Sequence, residues 1–320
     1  MTAIMKVSET AIVNVEYFSE NTIGEFIKSR KCSENTARTY RNACRRLSKF
    51  FATKQTAPTT AGLDEFFNQL RSEKKSDATL KLYFAVAKLY FKFLAKNNIY
   101  LDVAADAEPL NLRKSQTHKK GALSESQAKK LLAAVKGDDV LARRDRALLA
   151  LALSTGVRCC EISRASKCDF NVNEEGDGDY LLAVTGKGHQ TADATVRVAL
   201  PVVELINSYL ELRGEISDDA PLFVSESNQN RGARLSVQAV GLVIRKYMQA
   251  CKVYRKHSVS PHSTRHFAAR QSLKNGVDIR EVSAMLRHTS LNVTMVYLAD
   301  IAAQTRRAEL TIANSLFGVA

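Results

Sequence analysis

Apolar side chains recur at three- and four-residue intervals through most of this chain, the spacing of amphipathic helices. Residues 21–104 read as helices throughout. The stretch 34–51, opened by Ser33 as an N-cap, places Ala37, Tyr40, Leu47, Phe50 and Phe51 on one stripe. The stretch 78–95 repeats the arrangement with Leu80, Tyr83, Phe84, Ala87, Tyr90, Phe91 and Leu94. Residues 106–120 are polar, contain a proline and end in basic residues, so they read as a linker. Ser124 to Gln127 then has the form of a capping box. Further helices are expected over 123–135, 141–154, 202–213, 236–252, 261–275, 278–287 and 290–302. Two short stretches, 179–184 and 194–200, break the helical period and suggest a hairpin whose connection, 185–193, carries Gly186-Lys187-Gly188. The expected architecture is mainly helical, with one small antiparallel sheet in the larger of two domains.

Charge adds to this picture. The formal net charge is +14 and the pI about 9.5, with +9 carried by residues 1–120 and +5 by residues 121–320. An excess of this size suits a polyanionic partner. It is also arranged: Arg38, Arg41, Arg45 and Lys49 step along one face of the 34–51 helix, while Lys81, Lys88, Lys92 and Lys96 share a face of the 78–95 helix. Two such rows suit a phosphate backbone, and either alone also fits a solvated helix surface. Charge alone leaves nucleic acid, an acidic membrane surface or a heparin-like chain open as the polyanionic partner. No apolar run approaches the ~20 residues of a membrane helix, and no secretory signal is apparent, so a soluble, cytosolic protein is expected.

The six cysteines form no C-x-x-C pair, and His262 and His266 lack the upstream cysteines of a zinc finger, so the thiols read as small buried hydrophobes. The acidic loop 174–179 lacks EF-hand spacing and reads as a solvated turn. Phosphate-binding P-loop, dinucleotide and H-E-x-x-H motifs are absent.

What remains is a series of phosphate-seeking side chains ending in a tyrosine. Arg158 follows Thr155-Gly156-Val157, with Glu161 three residues on. Lys187 sits at the hairpin tip, His262 and Arg265 lie one turn apart, and His288 precedes Tyr297 by nine residues. Each has an ordinary explanation alone: a core tyrosine, a turn lysine, surface histidines, an arginine at a helix C-terminus. The order Arg, Lys, His-x-x-Arg, His, Tyr, with Thr-Gly-x-Arg-x-x-Glu and Gly-Lys-Gly, strongly resembles the tyrosine recombinase (phage integrase) family across both halves of the chain.

The resemblance implies a helical core-binding domain over 21–105 and an α+β catalytic domain over 122–300, closing as a clamp around DNA. Residues 1–20 would form an N-terminal tail, 106–121 a linker, and 301–320 a helical tail. It implies Arg158, Lys187, His262, Arg265, His288 and Tyr297 as catalytic residues, with Glu161 supporting. The chemistry suits these types, because guanidiniums clamp non-bridging phosphate oxygens with charge that persists at any working pH. By resemblance, Tyr297 attacks to give a 3′-phosphotyrosyl ester, Lys187 protonates the departing 5′ oxygen, and His262 helps move the tyrosine proton. No metal, ATP or other cofactor is implied. The implied partners are double-stranded DNA with inverted half-sites and further copies of this chain, as a dimer on one site and a tetramer exchanging strands through a Holliday junction, with accessory proteins optional and no membrane role. The apolar Ile301, Leu310, Ile312, Leu316 and Phe317 after Tyr297 would dock the tail on a neighbouring protomer. The simple two-domain layout is of the Xer, Cre or transposon-resolution kind, encoded by a bacterium, phage or mobile element.

Three readings compete: a type IB topoisomerase, a binding-only regulator on the same scaffold, and a metal-dependent nuclease. The chain also departs from the family. Arg287 stands before His288 where the family usually has Gly, Arg164 and Lys167 occupy positions that are often more apolar, and the loop 189–194 is longer than the compact hairpin usual there.

Overall fold

The computed structural model describes residues 16–107, 121–176, 178–186, 191–255, 259–305, 312 and 315–317. Twelve α-helices and three strands are found among them: α1 Glu20–Ser29, α2 Glu34–Lys54, α3 Thr60–Ser72, α4 Asp77–Lys96, α5 Glu125–Ala133, α6 Val140–Thr155, α7 Cys159–Arg164, β1 Phe170–Val172, β2 Tyr180–Val184, β3 Ala194–Val198, α8 Leu200–Arg213, α9 Val237–Ala250, α10 Ser263–Lys274, α11 Ile279–Leu286 and α12 Leu291–Thr305. The chain divides into two units, Met1–Lys114 and Ser115–Ala320.

The first unit is built from α1 to α4. Each helix is opened by a hydroxyl side chain, Ser19, Ser33, Thr59 or Ser76, that accepts a backbone N–H of the first turn at 3.0–3.4 Å. Such caps satisfy donors that have no partner within the helix and contribute ~1 kcal/mol each. The buried stripes meet in an aromatic core of Phe18, Phe26, Phe51, Phe66, Tyr90 and Phe91. Phe26 meets Tyr90 edge to face at 5.0 Å, and the Tyr90 hydroxyl donates to the Tyr17 carbonyl.

In the second unit, α6 is the central element. Ala147 to Leu153 are almost fully buried, so this stretch of the helix is apolar all round, as expected of one enclosed by neighbours. It packs on α5, α8, α10 and β3. Near its start, the buried Asp145 accepts from Arg144 at 2.6 and 3.0 Å and from the Tyr247 hydroxyl of α9 at 2.9 Å. The sheet is antiparallel in the order β1-β2-β3. The expected hairpin is β2 and β3. The third strand, β1, and the short α7 lie where no element was expected, being three and six residues long and too short to display a period. The acidic loop turns into β2 with Asp179 bonded to Asn173 and Arg197. Among the cysteines only Cys44 is buried, while Cys32, Cys159, Cys160 and Cys251 are half-buried and Cys168 is exposed, which corrects the expectation of buried thiols for all but Cys44.

The C-terminal end of α6 fixes where the following chain goes. Gly156 has φ +65°, and a Cβ there would lie 2.9 Å from a Leu286 methyl and 3.1 Å from Ala268. Glycine is required twice, by the left-handed backbone and by the close approach of α10 and α11. Gly156→Ala is therefore expected to lower the unfolding free energy by about 2–4 kcal/mol. Urea unfolding monitored by far-UV circular dichroism measures this, and a loss under about 0.5 kcal/mol would contradict the packing described.

Candidate active site

The start of α7, the start of α10 and the end of α11 converge on the C-terminal turn of α6. Arg158 is the N-cap of α7, in extended conformation. Glu161, in the first turn of α7, has a fully buried side chain. One of its carboxylate oxygens accepts the Arg158 backbone N–H at 2.7 Å, and the other accepts Arg158 Nη1 at 2.7 Å. The i, i+3 spacing within one helical turn makes this pairing local and inevitable once α7 forms. The Arg158 side chain keeps about a third of its surface exposed, at 30%.

Arg265, on α10, is only 2% exposed. Its Nη1 donates to the Gly156 carbonyl at 2.8 Å, and its Nη2 donates to the Leu286 carbonyl. Both acceptors are at helix C-termini, where carbonyls lack intrahelical partners and the helix dipole is negative. Two such ends explain how an arginine is held inside the fold. Burial nevertheless lowers its pKa from the ordinary guanidinium range to about 10, with Arg158 and Arg287 adding to the shift.

Arg287 caps α11 in left-handed conformation, at φ 53°. Its Nη2 donates to Glu161 at 2.6 Å, on the oxygen that also accepts the Arg158 N–H, and its Nη1 donates to the Met285 carbonyl at 2.8 Å. Three guanidiniums thus surround one carboxylate.

The histidines and Tyr297 form the adjoining group. Tyr297, on α12, is 4% exposed and packs with Ala269, Val282 and Leu286 of α10 and α11. Its hydroxyl lies 2.7 Å from His266 Nδ1. The rings of His262 and His266, at i and i+4 around the start of α10, meet edge-on at 4.7 Å. The His288 ring lies parallel to Tyr297 at 6.5 Å, with Nδ1 2.8 Å from the hydroxyl of the buried Thr294.

Of the residues expected from sequence, Arg158, Glu161, Arg265, His262, His288 and Tyr297 are brought into this one region. Lys187 lies outside the described residues. The base of its connection is described: Gly186 N–H donates to Asp193 at 2.6 Å, and Arg164 Nη1 donates to the Gly186 carbonyl at 2.8 Å. Arg164 thereby holds that base, and Lys167 pairs with Asp218 at 3.1 Å, so both unusual basic residues are engaged structurally. Sequence reading missed His266 as the partner of Tyr297; the available signal was its place one residue after Arg265 and one turn after His262.

The basic rows are surface features of the first unit. Arg45 forms a paired bond with Glu20 at 2.7 and 2.9 Å, Arg38 donates to Asn35 at 3.3 Å, and Lys88 lies over the Phe84 ring at 5.3 Å. Arg38, Lys49 and Lys92 are exposed, while Arg41 and Lys81 are half-buried.

The pattern of the phage integrase family matches residues 122–304, and that of its N-terminal SAM-like domain matches residues 21–100. The chain belongs to the phage integrase family, the tyrosine recombinases. Tyrosine recombinase XerA of Pyrococcus furiosus is 30% identical over 276 residues, covering 86% of this chain and 87% of that one. Tyrosine recombinase XerC of Thermodesulfovibrio yellowstonii is 25% identical over 294 residues, covering 89% and 92%. The fold is shared with the XerH site-specific recombinase bound to palindromic difH substrate (TM-score 0.70, 19% identity, 92% of this chain and 84% of that chain). It is also shared with a lambda integrase dimer bound to a COC′ core site (TM-score 0.63, 16% identity, 85% and 95%).

The guanidiniums outnumber the one carboxylate among them, so the cluster carries an excess of positive charge. A base whose pKa falls on folding destabilises the fold while it is charged. The cost from Arg265 is full below about pH 10 and fades as pH rises toward the ordinary guanidinium range. An anion binding there offsets the cost at neutral pH. Inorganic phosphate is expected to raise the Tm above that in sodium chloride of equal ionic strength, and Arg158→Ala to lose most of the increment. Equal Tm values in the two salts would contradict this reading.

Proposed function

We infer that this protein is a site-specific DNA recombinase that cuts and rejoins strands through Tyr297. The observation that carries the inference is the Tyr297 hydroxyl held at 2.7 Å by His266 Nδ1, beside the buried guanidinium of Arg265. A phenol ionises ordinarily near pH ~10, so attack needs a proton acceptor and a cationic surrounding. His266 supplies the first and the arginines the second. His266 thus takes the role that the sequence assigned to His262.

The step balances as follows. The Tyr297 proton passes to His266, and the phenolate oxygen bonds to phosphorus. The phosphorus–O5′ bond breaks, and the departing oxygen takes a proton from Lys187. Arg158 and Arg265 bind the non-bridging oxygens, with His262 and His288 as further donors, and Glu161 orients Arg158. Preorganised charge of this kind is commonly the largest catalytic contribution, at ~3–4 kcal/mol per donor. The product is a 3′-phosphotyrosyl ester and a 5′ hydroxyl. Because one phosphodiester replaces another, a 5′ hydroxyl from a second duplex reverses the step without ATP or metal.

The substrate in this reading is duplex DNA carrying inverted half-sites. Two copies bind one site, and four exchange strands through a Holliday junction. The rows on α2 and α4 follow the phosphate backbone, Arg38, Arg41, Lys49, Lys81, Lys88 and Lys92 being the contacts and Arg45 exchanging Glu20 for phosphate. The palindromic substrate of XerH and the dimeric lambda integrase complex support the symmetry. Ile312, Leu316 and Phe317 are 60–78% exposed, which supports docking of the tail on a neighbouring copy. Among the described residues no helix is long and apolar enough to cross a membrane, and the reading places the protein with DNA in the cytoplasm.

Nicked duplex fragments scanned from DNA flanking the gene, incubated with EDTA, are expected to yield a covalent protein–DNA band on denaturing gels. The band should vanish in Tyr297→Phe, and His266→Ala should form it at least about 10²-fold more slowly. Tight binding without a band on any fragment would favour a binding-only regulator. Loss of the band with EDTA would favour a metal-dependent nuclease.

A further inference from the structure

Arg287 is the residue of the site that the reaction above does not use. Its backbone adopts the left-handed region, where a side chain is strained and glycine is not. Its side chain is 11% exposed, and Nε is buried with no hydrogen-bond partner. A residue with neither backbone nor full hydrogen bonding in its favour needs another interaction to hold it. Glu161, 126 residues away, supplies that interaction through Nη2 at 2.6 Å. Nη1 is committed to the Met285 carbonyl, so the guanidinium has two anchored edges.

The bonds have a consequence for the whole cluster. Consecutive carbonyls at the end of α11, Met285 and Leu286, are bound by Arg287 and Arg265. Glu161 is bound by Arg158 and Arg287 together. The turn that delivers His288, and beyond it Tyr297, is therefore tied to the helix cap that presents Arg158.

We propose that Arg287 is a positioning residue for strand cleavage: it ties the α11–α12 turn to Glu161, so that Arg158 and the nucleophile's helix are set together, and it adds a cation beside the phosphate-binding guanidiniums. The proposal rests on the recombinase reading. With two edges bound and little exposure, Arg287 acts through Glu161 and its charge. Removal of that charge disfavours the phenolate of Tyr297. Among the described residues, the other charged or titratable groups around Tyr297 and Arg287 are His262, Arg265 and His266 at the start of α10, Arg158 and Glu161 at the start of α7, and His288; all remain in an Arg287 variant.

Arg287→Gly is the decisive variant, since glycine removes the backbone strain while deleting the side chain. Covalent-adduct formation is followed in single turnover from about pH 6 to about pH 10, on the nicked duplex that traps the wild-type protein but not Tyr297→Phe. Arg287→Gly is expected to react about tenfold more slowly or worse, with the rising limb of its pH profile displaced to higher pH. Arg287→Lys should keep the limb in place while remaining slow, because lysine retains the charge without the fork of donors. In a Glu161→Gln background, Arg287→Gly should cost clearly less than in the wild-type background, because the tie to Glu161 is already lost there and only the charge effect remains. A wild-type rate and an unmoved limb in Arg287→Gly would overturn the proposal, as would an undiminished penalty in the Glu161→Gln background.

A readout without DNA covers the same ground. Tyrosinate absorbance of each protein, compared with its Tyr297→Phe counterpart, should show Tyr297 ionising at higher pH in Arg287→Gly, and identical titrations would overturn the proposal. Absence of any Tyr297-dependent adduct from the wild-type protein would instead remove the recombinase reading, and the proposal with it.

Discussion

Placing three guanidinium groups in one largely buried cluster is electrostatically costly, and a single carboxylate makes it tolerable. Glu161 accepts from Arg158 twice and from Arg287 once, and its side chain is wholly enclosed. Remove it and the guanidiniums repel one another without an internal counter-ion. Keep it and the cluster retains an excess of positive charge, which is the condition for binding a phosphodiester. In the proposed reaction, that excess charge is what a phosphodiester would complement.

The remaining support comes from helix ends. Arg265 is stabilised by the carbonyls that finish α6 and α11, and those ends come close enough only because position 156 has no Cβ. Packing carries the arrangement to Tyr297: Leu286, whose carbonyl binds Arg265, shares a small apolar cluster with it. His266 follows Arg265 on α10 and bonds the Tyr297 hydroxyl. Charge, backbone and core contacts are therefore coupled within a few residues of one another, although their positions in the sequence range from 156 to 297.

Much of this was legible beforehand, and the reason is locality. Helical periodicity identified the stripes of α2 and α4 that became the core of the first unit, and the caps Ser33 and Ser124 marked two helix starts. The pairs Arg158–Glu161 and His262–Arg265 are one helical turn apart, so sequence spacing alone predicts their nearness. The bonds that complete the site are not local. Arg287 meets Glu161 across 126 residues, and His266 meets Tyr297 across 31, and no period in the chain encodes either. Arg287 did stand out as a bulky residue where the family usually has Gly, but its left-handed backbone and its carboxylate partner are tertiary facts. The strand β1 and helix α7 escaped because elements this short display no pattern. In the first unit, the sequence displayed Arg45 within a basic row, and folding gave it Glu20 as a partner.

The central claim is that Tyr297 is the atom-bearing nucleophile of a phosphodiester exchange. Protease digestion of the trapped protein–DNA adduct, followed by mass spectrometry of the nucleotide-bearing peptide, tests it most directly. The account predicts a peptide spanning Tyr297 with the nucleotide joined through the 3′ phosphate to that phenolic oxygen. A nucleotide attached to any other residue, or joined through a 5′ phosphate, would contradict it.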